Sequence, residues 1–110
     1  MPARELGVGE LRVDAVIHGG RGTLHLTGEV DLSNAGGVRE TIEQMQRSGA
    51  STIVLDLAGL RFIDSSGLHQ LVQALQRQRH CDGDLILRSP TPSTLRVLEI
   101  VGLDKVFTIT

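Results

Sequence analysis

Apolar residues along this 110-residue chain recur at two spacings, and the change from one to the other divides it into strands and helices. Leu11 to Ile17 alternates crudely between apolar and polar. His18-Gly19-Gly20-Arg21-Gly22 reads as a turn, and Thr23 to Gly28 alternates again with Leu24 and Leu26 on one face. Two such runs about a glycine-rich turn predict a β-hairpin. Leu32, Ala35, Val38, Ile42 and Met45 then follow one helical stripe, with Ser33 or Asn34 as cap and Gly49 as stop. Ile53-Val54-Leu55 has the length and two-sided apolar character of a central strand covered on both faces. Asp56 ends that run, Gly59 breaks it, and Phe62-Ile63 returns the chain to the core. Leu68, Leu71, Val72 and Leu75 define a second helix reaching about Arg79, capped by Asp64 or Ser65. His69, Gln70, Gln73 and Gln76 fall on its opposite face. Leu85 to Arg88 is another short strand. Thr91 caps a third helix with Pro92 in its first turn and Leu95, Leu98 and Val101 as its apolar face. Gly102 stops that helix, and Val106 to Ile109 closes the chain as a last strand. Residues 1–9 read as a loose leader.

Two strands followed by three helix–strand repeats predict an α/β domain. Its sheet is mixed and mostly parallel, of about five strands, with the first antiparallel; successive right-handed crossovers put the helices mainly on one face. The length fits one domain spanning residues 1–110. Net charge is -2, so no basic stripe is available for phosphate backbones, and Phe62 and Phe107 are the two aromatics. Direct nucleic-acid binding is therefore not expected. Cys81 is the one cysteine and the four histidines lack ligand spacing, so neither a disulfide nor a metal or other cofactor is expected. No apolar run approaches a membrane span and the first residues lack a signal peptide's apolar segment, which predicts a cytoplasmic protein without membrane insertion.

The candidate chemistry lies at Asp64-Ser65-Ser66-Gly67, at the mouth of a helix and beside the C-terminal end of a strand, where α/β proteins place their sites. Taken alone, Ser65 and Ser66 read more readily as caps than as reactive groups, since serine is among the commonest caps. Gly67 either lets something approach or serves turn geometry. Hydrolase chemistry would need Gly-x-Ser-x-Gly, and Ser65 stands instead in Ile-Asp-Ser-Ser-Gly. A phosphorylated Asp56 would need an acidic pair after the first strand, and no phosphate-cradling Gly-x-x-x-x-Gly-Lys occurs. A binding protein is expected rather than an enzyme. The loops Glu29 to Ser33 and Asp64 to His69 leave neighbouring parallel strands at the same end, so a partner surface is expected there.

Several blocks together resemble the STAS domain family, and within it the bacterial anti-sigma factor antagonists. They are Leu26-Thr27-Gly28-Glu29-Val30-Asp31, Ile53-Val54-Leu55-Asp56-Leu57, Phe62-Ile63-Asp64-Ser65-Ser66-Gly67-Leu68, and Leu103 to Phe107. The resemblance implies a regulatory switch. Ser65 would be phosphorylated by an anti-sigma factor that is itself a serine kinase, and a PP2C-type phosphatase would reverse this. The unmodified form would bind the anti-sigma factor and free a sigma factor. Partner-binding residues would be Gly28, Glu29, Asp31, Ser33, Asp64, Ser66, Gly67, Leu68 and His69. His69 is a departure, since that position is often small in the family. Relatives with the same fold that serve as constitutive adaptors, in stressosomes or lipid transport, make the alternative reading: a scaffold subunit whose serine is never modified.

Overall fold

The computed structural model describes residues 11–110 and the backbone of Ala3–Glu5. Strand β1 (Ala3–Glu5) pairs antiparallel with β2 (Leu11–His18), which pairs antiparallel with β3 (Arg21–Val30). Part of the stretch read as a loose leader is thus a short strand, and the rest of that stretch lies outside the described residues. The β2–β3 turn is Gly19-Gly20, with φ of 59° and 77°. Positive φ at both central residues is the type I′ geometry that matches strand twist, and it favours glycine strongly. Helix α1 (Ala35–Arg47) leads to β4 (Thr52–Ile63), α2 (Ser65–His80) to β5 (Asp84–Arg88), and α3 (Pro92–Ile100) to β6 (Thr108–Ile109). The sheet runs in the order β1 to β6, six strands rather than five, with β3 to β6 parallel. Helices α1 and α2 pack side by side over the sheet, while α3 lies against the C-terminal half of β4.

β4 is longer than its apolar run. It passes through Asp56 and Gly59 to Ile63, because two register shifts against β3 each add a residue to β4. His25 and Thr27 face Asp56 and Gly59, and Gly28 and Glu29 face Leu60 and Phe62. These bulges keep Leu55, Leu57, Leu60 and Ile63 all buried, although a regular strand would have turned Leu60 outward. Asp56 is tolerated mid-strand because its side chain lies on the face away from the helices. There it accepts from Arg88 Nη2 at 3.1 Å and meets His25 Nδ1 at 3.0 Å. Burial raises the Asp56 pKa, but the Ala58 amide, Arg88 and His25 together outweigh it and hold the carboxyl below its ordinary value.

The core is one aliphatic cluster joining the sheet to all three helices. In α2, Leu68, Leu71, Ala74 and Leu75 are buried and Val72 packs at the margin, while His69, Gln73 and Gln76 are exposed and Gln70 is half-buried. Gln78 is buried as well, and its Nε2 donates to the carbonyls of Ala50 and Ser51 at 2.8 and 3.0 Å. That network seats the far end of α2 on the start of β4. The other two stripes need correction. Leu32 is not part of α1 but stands 81% exposed before it, and Val101 lies just beyond α3 and is exposed. The inward face of α3 is Thr94 and Leu98; Thr91 caps it as predicted, accepting from Thr94 N. At the C-terminal end, Leu103–Lys105 forms a 3₁₀ turn, which shortens the last strand to Thr108–Ile109. Among the described residues, no helix is long and apolar enough to cross a membrane.

Candidate partner-binding site

β3 and β4 end together, with Val30 opposite Ile63, so the loop entering α1 and the junction entering α2 emerge side by side. One residue stands where they meet. Asp64, in extended conformation, is the N-cap of α2 and accepts from Ser66 Oγ at 2.5 Å and Gly67 N at 3.1 Å. Its own N–H donates to Val30 O at 3.1 Å, at the end of β3. The Ser66 hydroxyl is the largest cause of a lowered Asp64 pKa, opposed by burial and reinforced by the amides of Gly67, Ser66 and Leu32. A depressed carboxylate contributes stability above its ordinary pKa and loses it as pH falls through the folded value. The cap on α2 therefore holds at neutral pH and loosens in acid.

With Asp64 as cap, Ser65 occupies the first helical position and is exposed. The choice between Asp64 and Ser65 as cap is thereby resolved, and the Ser65 hydroxyl is left available.

The facing loop is held by Asn34, which stands at the N-cap position of α1 but makes no side-chain cap bond. Instead its buried amide turns back: Nδ2 donates to Glu29 O at 3.0 Å and Oδ1 accepts from Asp31 N at 2.9 Å. Asp31 Oδ1 in turn accepts from Ser33 N at 2.9 Å. Both backbone groups of this tight excursion are thus satisfied from within.

The predicted site residues separate by exposure. Ser33, Ser65 and His69 face solvent, and Asp31, Glu29, Asp64 and Ser66 are half-buried around them. Gly28, Gly67 and Leu68 are buried beneath them. Gly28 has φ of 113° within β3, a conformation side chains rarely adopt. A Cβ on Gly67 would lie 2.6 Å from Ile63 Cγ1 and 2.7 Å from Val30 Cγ1. The close approach that Gly67 permits is that of α2 onto the two strand ends. Gly67→Ala is accordingly expected to destabilise the fold by about 1–3 kcal/mol through overpacking, read as a lower urea midpoint at unchanged slope. An unchanged midpoint would show that the helix can shift freely.

Two residues of the site were given other roles by the sequence, Leu32 in the α1 stripe and Asn34 as a helix cap. Leu32 stands at its centre with 81% exposure, and Asn34 holds the loop from inside. The Asp31-x-x-Asn34 spacing is the available signal, since a short polar side chain that bonds backbone nearby marks a turn before the helix.

Neither Ser65 nor Ser66 is hydrogen-bonded to a histidine, and among the described residues no His, Cys, Asp or Glu group could hold a metal ion. The arrangement presents an accessible hydroxyl at the start of α2, beside the exposed loop that leads into α1. Residues 12–110 match the STAS domain model, and the chain belongs to that family. It is 30% identical over 100 residues to an anti-sigma F factor antagonist of Paenibacillus polymyxa, covering 90% of this chain and 86% of that one. It is 29% identical over 86 residues to an anti-sigma-B factor antagonist of Listeria monocytogenes, covering 78% of this chain and 75% of that one. The crystal structure of an anti-sigma factor antagonist from Mycobacterium paratuberculosis shares the fold, with a TM-score of 0.83 at 23% identity over 91% of this chain and 85% of that one.

Proposed function

We propose that this protein is a phosphorylation-switched anti-sigma factor antagonist. In its unmodified form it binds an anti-sigma factor, and so frees a sigma factor; phosphate on Ser65 ends that binding. The anti-sigma factor is itself the serine kinase, a PP2C-type phosphatase restores the hydroxyl, and the exchange takes place in the cytoplasm. The observation that carries this reading is the exposed Ser65 hydroxyl at the first position of α2, next to Asp64, whose N–H binds Val30 O at the end of the strand leading into the loop that presents Leu32 and Ser33. A phosphate there would stand in the middle of the docking surface. Incubation with a candidate anti-sigma kinase and ATP, followed by intact-mass measurement and peptide mapping, is expected to find one phosphate, on Ser65. A kinase that binds the chain yet leaves it unmodified would favour a constitutive adaptor instead.

The surface should also respond to charge away from Ser65. Asp31→Asn keeps an oxygen for the Ser33 amide while removing the charge, so the loop is expected to persist. Anti-sigma affinity is expected to fall roughly tenfold, equivalent to about 1.4 kcal/mol, mainly through slower and less salt-dependent association. Surface plasmon resonance at two salt concentrations reads both effects, and unchanged rates would move the interface off this loop.

A further inference from the structure

We propose that His69 is the counter-cation this chain provides for a phosphate on Ser65, making the modified state proton-sensitive; the inference rests on the phosphorylation reading above. Ser65 and His69 are at positions i and i+4 of α2, and both are exposed. They therefore share one helix face, one turn apart. Helical side chains lean toward the N-terminus, a direction in which the imidazole can reach back toward Ser65. The order is the favourable one, with the anion N-terminal to the cation.

The other donors at this helix mouth are already engaged. Ser66 Oγ and Gly67 N both serve the Asp64 carboxylate, so a phosphate could reach them only by displacing it. The remaining basic side chains of α2, namely Arg77, Arg79 and His80, stand at least two turns further on. From the neighbouring elements, the β3–α1 loop contributes Asp31, and the strand ends contribute Glu29 and Arg61, paired at 3.5 Å. On α1, Arg39 and Glu43 pair at 3.6 Å, and Arg88 of β5 binds Asp56 on the opposite sheet face. A phosphoserine ionises a second time near pH 6, and imidazole titrates near 6.5. Each charge should favour the other over that shared range.

The test uses the full chain with phosphoserine installed genetically at position 65, compared with the unmodified chain by histidine-ring and ³¹P NMR titrations. His69 is expected to titrate about 0.5–1 pH unit higher in the phosphorylated chain, while His80 at the far end of α2 does not move. In His69→Gln, the phosphate's own titration is expected to shift upward. An indistinguishable His69 midpoint in the two forms, or a phosphate titration unaffected by His69→Gln, would overturn the pairing. Because the phosphate is installed without a kinase, that result would leave the switch untouched. Conversely, a kinase that fails to modify Ser65 would overturn the switch while the pairing stays measurable.

Discussion

Ser65→Asp is expected to fold like the parent and to bind the anti-sigma factor at least a hundredfold more weakly, while Ser65→Ala folds, resists phosphorylation and keeps its affinity. Two local effects on the fold oppose each other. The α2 N-terminus favours an anion by about 0.3–1 kcal/mol, and the Asp64 carboxylate one residue earlier disfavours it. Because Asp64 already holds the Ser66 hydroxyl and the Gly67 amide, the added charge displaces nothing and the helix stays capped. The complex is different. An exposed position that becomes covered by a partner must shed its water, and a charge desolvated against a partner surface that brings no cation to meet it costs roughly 3 kcal/mol or more, a factor above a hundred. Ser66→Ala separates the two serines: it removes a donor to Asp64 yet leaves the acceptor hydroxyl, so phosphate should still arrive on Ser65, more slowly. Calorimetric titration of the Ala and Asp variants against the anti-sigma factor decides the matter. Equal affinities, or a phosphate mapped to Ser66, would overturn the assignment.

Leu71→Ala is expected to cost about 2–5 kcal/mol of stability, the range for emptying a large aliphatic site that cannot collapse. Leu71 is 1% exposed and belongs to the cluster that seats α2 on the sheet. The same helix carries Ser65 and His69 at its first turn, so the variant should lose stability before it loses binding, with a lower urea midpoint and near-normal affinity in the folded fraction. A loss under about 0.5 kcal/mol is what surface changes give, and it would place Leu71 outside the core.

What could be seen in the sequence was whatever depends on neighbours along the chain. Helix α2 was legible because Leu68, Leu71 and Leu75 repeat at helical spacing beside exposed His69, Gln73 and Gln76. The hairpin was legible from its glycines. The length of β4 was not, because Asp56 looks like a strand end until His25 and Arg88, each about thirty residues away, arrive to pair with it. Leu32 fitted the α1 stripe by spacing alone. Only the inward turn of the Asn34 amide, fixed by Glu29 and Asp31, shows that the helix starts after it. The last strand was overestimated because Val106 and Phe107 are apolar, whereas the chain enters a 3₁₀ turn at Leu103 and reaches β5 only at Thr108. At the site, Ser65 and Asp64 were visible as types. Which of them capped the helix was decided by the geometry of Asp64.

The placement of α3 bears on how an open flank of β4 is shielded. β5 ends opposite Asp56, so residues 57–63 of β4 have no strand beside them on that side. Seven residues of open strand would offer another chain a template for pairing, the usual origin of edge-to-edge aggregation. Here the start of α3 occupies that flank, and the hydroxyls of Thr91 and Thr94 both donate to Leu60 O, at 3.3 and 3.4 Å. Two threonines do what an incoming strand's amide would otherwise do, and the bulges on either side of Leu60 make the remaining backbone too irregular to zip against. β4 can therefore run out to carry Asp64 and Ser65 to the surface without becoming a seed for self-association.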